Sequence, residues 1–113
     1  VKAMLAKYNV NIEVAANGRK ALEMFCRNPD YYYDIILMDL RMPLMDGFQC
    51  AKEIRNIRSE YAKTVPIIAM TASAFSEDVN KAKQCGMTAF LTKPVNSDEL
   101  SRTLTQAVSE ENV

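Results

Sequence analysis

Four apolar residues, Ile35 to Met38, run straight into an acid, Asp39. A short apolar run bounded by polar and turn residues reads as a strand buried on both faces, the habit of parallel sheets. Pro43 and Gly47 then mark a turn, and a helical pattern begins after it. Asp39 therefore stands at the carboxyl end of a buried strand. Open α/β sheets bind their ligands at that end.

The rest of the chain alternates in the same way. Val1, Met4, Leu5 and Tyr8 share one helical face, with nothing ahead of Val1 to cap it. Ile12, Val14 and the pair Ala15-Ala16 read as a short strand. Asn17-Gly18 opens a helix whose stripe, Ala21, Leu22, Phe25 and Cys26, runs out at Asn28-Pro29-Asp30. The strand that carries Asp39 is placed at residues 33 to 39. From Gly47 a long helix carries Phe48, Ala51, Ile54 and Ile57 to about Ala62. Val65 and Ile67 to Met70 form a second buried strand, with Pro66 tolerable near its start. It ends at Thr71-Ala72-Ser73. Ser76 suits an N-cap, and Glu77 and Asp78 suit the positive end of the helix dipole. Gly86 stops that helix. Ala89-Phe90-Leu91-Thr92 is a third strand, closed by Lys93-Pro94. Asn96 and Glu99 approach a capping box. The last helix carries Leu100, Leu104, Ala107 and Val108, and the polar tail Ser109 to Val113 is expected to fray. Buried strands that alternate with helices predict a parallel sheet covered on both faces.

Composition limits what such a sheet can do. The 113 residues suit one domain, with a core that needs no metal or disulfide staple. Fourteen basic and fourteen acidic residues give zero net charge, which argues against a general nucleic-acid or membrane-surface binder. No apolar run approaches the length of a membrane-spanning helix. Cys26, Cys50 and Cys85 are too far apart for a zinc or CxxC pattern, and they read as small core residues in a reducing compartment. With no His in the chain, an internal His base or His metal ligand is excluded.

The buried strands end in Asp39, Thr71 and Lys93, which a parallel sheet brings to one edge. Singly, each has an ordinary explanation: a turn acid, a β-branched strand residue, a solvated lysine. Together, a carboxylate, a hydroxyl and an ammonium suit the handling of a phosphoryl group. A carboxylate needs no general base to act as a nucleophile. The other two can hold the oxygens of the transferred group.

Three motifs in order carry a resemblance that covers essentially the whole chain. Met38-Asp39-Leu40-Arg41-Met42-Pro43 with Met45-Asp46-Gly47, then Ala69-Met70-Thr71-Ala72, then Phe90-Leu91-Thr92-Lys93-Pro94, resemble the receiver domain of two-component response regulators. The wording is most similar to receivers of hybrid sensor histidine kinases. The resemblance implies a flavodoxin-like doubly wound sheet of order 2-1-3-4-5. It implies that Asp39 accepts a phosphoryl group from the phosphohistidine of a histidine kinase or histidine phosphotransfer domain. Thr71, Ala72 and Lys93 would bind the phosphate, with Ala72 small enough to admit the donor. Thr71 and Phe90 would switch together, and the Arg41 side chain and Ser73 would tune dephosphorylation. Mg²⁺ would take the Asp39 carboxylate and the Arg41 backbone carbonyl. The Lys93-Pro94 bond would be cis. The last two helices and last strand would form the signalling face. The domain would assist its own phosphotransfer and dephosphorylation, in the cytoplasm.

One part of the family pattern is not in this sequence. Receivers carry an acidic pair for Mg²⁺ at the end of a first strand, well upstream of the phosphoacceptor. Only Val1 to Met38 precede Asp39. The expectation is a receiver over residues 1–113, truncated at its N-terminus, with first strand and start of first helix missing. A strand near residues 12 to 16 then has no neighbour, unless strand exchange or a dimer supplies one. Mg²⁺ binding and phosphorylation of this fragment are expected to be weak. The parent is expected to be a stand-alone receiver or, as favoured, a hybrid histidine kinase. Three rival readings fit less well. An aspartyl phosphatase of the haloacid dehalogenase type needs an acid where Arg41 stands. A flavodoxin-like cofactor binder leaves the three strand-end residues unexplained. A receiver that serves only as an interaction module rests on the absent acidic pair.

Overall fold

A computed structural model describes residues 13–72 and 77–111, with side chains up to residue 106. The expected helix over Val1–Tyr8, and the roles expected of Ser73 and Ser76, lie outside these residues. In chain order the elements are α1 (Gly18–Arg27), β1 (Ile36–Asp39), α2 (Gly47–Arg55), α3 (Glu60–Thr64), β2 (Ile67–Thr71), α4 (Glu77–Gln84), β3 (Ala89–Thr92) and α5 (Ser97–Glu111). The strands pair parallel in the order β1-β2-β3. Ile36 lies beside Ile67 and Asp39 beside Met70. Ile68 lies beside Ala89 and Thr71 beside Thr92.

The alternation of side chains along β2 explains why its run is apolar throughout. Ile67 and Ala69 join one core with Phe25, Met38, Leu40, Phe48, Ile54, Tyr61 and Ala82. Ile68 joins the other with Leu91, Val95 and Leu100. Helices thus cover both faces, as a parallel sheet requires. Polar caps start the helices. The side chains of Asn17, Asp46 and Asn96 accept the main-chain N–H of Lys20, Gln49 and Glu99 at 2.8, 2.9 and 2.8 Å. Each such cap is worth about 1 kcal/mol. Glu99 returns its side chain to the Asn96 amide, at 3.4 Å.

Three expectations need correction. The long helix after Gly47 is two helices. α2 ends at Arg55, and Ser59 caps α3, its hydroxyl accepting the Ala62 N–H at 3.3 Å. The apolar stripe continues through Tyr61 and Ala62 because both helices pack on one core, so periodicity alone hides the break. Second, Glu13–Ala16 forms no strand; the lack of a sheet neighbour there is as expected, and Val14 is 66% exposed. Alternation over so few residues makes a strand only where a neighbour takes up its backbone groups. Third, Cys50 and Cys85 are buried but Cys26 is exposed. α5 runs to Glu111.

Arg55 closes the bottom of this layer. Its Nε donates to the Gly86 carbonyl at 2.9 Å and its Nη1 to the Ala62 carbonyl at 3.1 Å. Burial lowers its pKa. Gly86 has φ +95, and a Cβ there would come within 2.8 Å of the Arg55 side chain.

A tyrosine cluster holds the amino end of β1. The Tyr33 N–H donates to the Tyr61 hydroxyl at 2.9 Å, which donates to the Tyr33 carbonyl at 2.8 Å. Tyr61 stacks on Phe25 with ring centroids 5.2 Å apart. The hydroxyls of Tyr32 and Tyr33 both donate to Glu13, the second at 2.7 Å. These bonds hold the Glu13 carboxyl below its ordinary range. Burial, with the Glu13 bond second, pushes the Tyr33 phenol up to about 12.

Two outcomes follow. Tyr33 is harder to ionise folded than unfolded, so its contribution to stability is complete below its ordinary pKa near 10 and is lost as pH rises toward about 12. Urea unfolding across that window should show stability falling less steeply in Tyr33→Phe. Gly47→Ala would place a Cβ 2.5 Å from the Asp39 carbonyl oxygen. Overpacking there should cost about 1–3 kcal/mol in the same assay.

Candidate functional site

The carboxyl ends of the three strands bring the expected residues together. Asp39 is the last residue of β1, Thr71 the last of β2, and Lys93 follows β3. The ladder continues one step past the strands: the Leu40 N–H donates to the Met70 carbonyl at 3.3 Å and the Lys93 N–H to the Thr71 carbonyl at 2.7 Å. The main chain under Lys93 is thus tied to β2 while its side chain crosses to β1. Lys93 Nζ lies 2.8 Å from Asp39 Oδ2. The other carboxylate oxygen, Oδ1, accepts the Arg41 main-chain N–H at 3.2 Å.

The pair sits at the rim, with the Asp39 side chain 34% exposed and that of Lys93 44%. Thr71 lies below the rim and is the buried polar residue of the described core. Ala72 is exposed beside it. Phe90, opposite Ala69 in the register, is an exposed aromatic rather than a core one. The Lys93-Pro94 bond is cis, as expected.

Between Asp39 and α2 the chain turns through Arg41 to Asp46. Met42 and Met45 pack against the core, whereas Leu44, with φ 67, is 81% exposed. Gly47 is needed where α2 begins, because its Cα faces the Asp39 carbonyl and the Leu40 Cα too closely for any side chain.

Arg41 holds contacts that sequence reading missed. Its Nη2 donates to both carboxylate oxygens of Asp78, at 2.9 and 2.8 Å. Its Cζ stands 5.7 Å from the centroid of the buried Phe48 ring, and Lys81 Nζ stands 4.4 Å from the same ring. Arg41 and Asp78 lie 37 positions apart, and no local signal pairs them.

The metal expected here finds few ligands. Among the described residues no group of three or more His, Cys, Asp or Glu side chains could hold an ion. Mg²⁺ takes near-octahedral oxygen ligands. The Asp39 carboxylate, engaged by Lys93 and the Arg41 N–H, and the Arg41 carbonyl fall short of that set.

A family model, response regulator receiver domain, matches residues 1–105. The chain belongs to the response regulator receiver family. Hybrid signal transduction histidine kinase I of Dictyostelium discoideum is 36% identical over 98 residues, covering 85% of this chain and 6% of that protein. The peroxide stress-activated histidine kinase mak1 of Schizosaccharomyces pombe is 36% identical over 103 residues, covering 89% of the chain and 6% of the kinase. The receiver thus spans a small part of the length of these curated relatives. Among solved structures, the receiver domain of sensor histidine kinase PA1611 from Pseudomonas aeruginosa superposes with TM-score 0.84 at 37% identity, covering 96% of this chain and 84% of that one. That receiver holds a magnesium ion in its active site cleft. A chemotaxis protein of Vibrio cholerae, CheY4, gives TM-score 0.81 at 31% identity, covering 94% of this chain and 84% of its own. The flavodoxin-like fold and the receiver's place in two-component signalling therefore stand. No described helix is long and apolar enough to cross a membrane.

A half-exposed ion pair contributes little to stability, about 0–1 kcal/mol. Lys93→Gln should therefore shift the urea midpoint only slightly. A loss above about 2 kcal/mol would make Lys93 a structural residue rather than one kept for chemistry.

Proposed function

We propose that this receiver accepts a phosphoryl group on Asp39 from the phosphohistidine of a histidine kinase or a histidine phosphotransfer domain. The observation that carries the reading is the 2.8 Å contact between Lys93 Nζ and Asp39 Oδ2, made from two different strand ends. The relatives point to the donor: they are histidine kinases.

In the transfer, an Asp39 carboxylate oxygen forms a bond to phosphorus while the phosphorus–nitrogen bond of the donor breaks. The electron pair stays on the imidazole nitrogen, which takes up a proton from water. The product is an acyl phosphate. Lys93 sits where its ammonium can pass from the carboxylate to a phosphoryl oxygen, stabilising charge as it builds in the transition state. Ala72, with only a methyl group, leaves the approach open.

The new charge then acts on the fold. Thr71 ends the strand between Asp39 and Lys93, so a short outward movement lets its hydroxyl meet a phosphoryl oxygen. That movement vacates space at the carboxyl end of β2, into which the exposed Phe90 ring can turn. The last strand and the α4 and α5 surface carry the change outward.

Incubation with a phosphorylated histidine phosphotransfer domain should add one phosphoryl group, read by mass and removed by hydroxylamine. Asp39→Asn should take none, and Lys93→Gln should slow labelling by about a hundredfold. Thr71→Ala should still be labelled, but its Phe90 ring resonances should no longer move on labelling. A labelled Asp39→Asn, or a native chain carrying the family's acidic pair that an active donor leaves unlabelled, would falsify the reading.

A further inference from the structure

Arg41 is anchored at both ends. Its main-chain N–H is held by Asp39 Oδ1 at 3.2 Å. Its guanidinium is held by both oxygens of Asp78, at 2.8 and 2.9 Å, in the first turn of α4. The two acids are unequal competitors for this cation. The Arg41 side chain is 71% exposed and that of Asp78 28%, so the contact is a rim contact and weak. The Arg41 N–H already lies 3.2 Å from the Asp39 carboxylate, so the flexible side chain of the same residue can turn to a group added there. Asp78 offers one negative charge, whereas an acyl phosphate on Asp39 offers nearly two and three acceptor oxygens. Phe48 and Lys81 shape the choice further. Lys81 Nζ also stands over the Phe48 ring, nearer than Arg41, so the ring keeps a cation when Arg41 leaves.

We infer that Asp78 is a positioning residue that acts through Arg41. While Asp39 is an unmodified carboxylate, Asp78 keeps the guanidinium on α4 and away from the acceptor. An anionic donor or the phosphoryl group itself draws Arg41 off Asp78, which unties the first turn of α4. The clasp thus lowers the receiver's attraction for anionic donors and couples acceptor chemistry to the position of α4. The inference rests on Asp39 being the acceptor.

Acetyl phosphate serves as the probe: an Asp39 oxygen attacks phosphorus and acetate leaves with the bonding pair. Asp78→Asn releases Arg41, so the second-order labelling rate should rise about two- to fivefold at low salt and fall back toward the native rate as salt screens the freed cation. In an Arg41→Gln background the same Asp78→Asn change should do nothing, because the residue through which it acts is gone. A helix merely loosened by the substitution would behave alike in both backgrounds and at all salt concentrations. In native protein, the Arg41 Nε–H resonance should move on labelling away from the position it has when paired with Asp78. An unchanged rate in Asp78→Asn, or a gain that survives Arg41→Gln, overturns the inference while leaving Asp39 as acceptor. A native chain carrying the family's acidic pair that takes no label from either acetyl phosphate or a phosphohistidine donor removes both.

Discussion

Everything at the rim depends on the parallel pairing of β2 with both of its neighbours. A parallel ladder aligns the carboxyl ends of its strands, so residues far apart in sequence arrive at one edge without any contact between their side chains having to be selected. Here the ladder runs one step beyond the strands, through the Leu40 and Lys93 main-chain N–H groups. The backbones beneath Asp39 and Lys93 are therefore fixed relative to each other by hydrogen bonds to β2. The ion pair between the two side chains is a consequence of that frame rather than a support for it.

This order of causes separates stability from chemistry. The frame is held by the apolar residues of β2, with Ile67, Ile68 and Ala69 wholly buried, and by helix caps worth about 1 kcal/mol each. The rim is made of partly exposed charges, which contribute little to folding but can change partners. Thr71 stands between the two. It is buried like the frame, yet it carries a hydroxyl at the edge where charge can appear. That position suits a residue that reports on the rim to the interior.

Much of this was legible in the sequence because it is local. An apolar run ending in an acid, a Gly closing a helix and an Asn ahead of one each specify their own neighbourhood, and parallel topology does the rest. Asp39, Thr71 and Lys93 were readable as one site for that reason. What was not readable depends on distance or on competing patterns. The break between α2 and α3 hides because Tyr61 and Ala62 continue the stripe, although Ser59 carried a cap signal. The Arg41–Asp78 contact joins two side chains whose neighbourhoods say nothing of each other, and Glu13 meets Tyr32 and Tyr33 in the same way.

Arg55 differs from the cations at the site in what it holds. Its partners are carbonyl oxygens, of Gly86 and Ala62, which have no proton to gain and no net charge to screen. The helix that starts against Asp39 is therefore moored at its far end by contacts indifferent to acid and salt. The rim above it is built from carboxylates and ammonium groups that respond to both. Changes in the surrounding medium thus reach the signalling edge while the platform beneath keeps its shape.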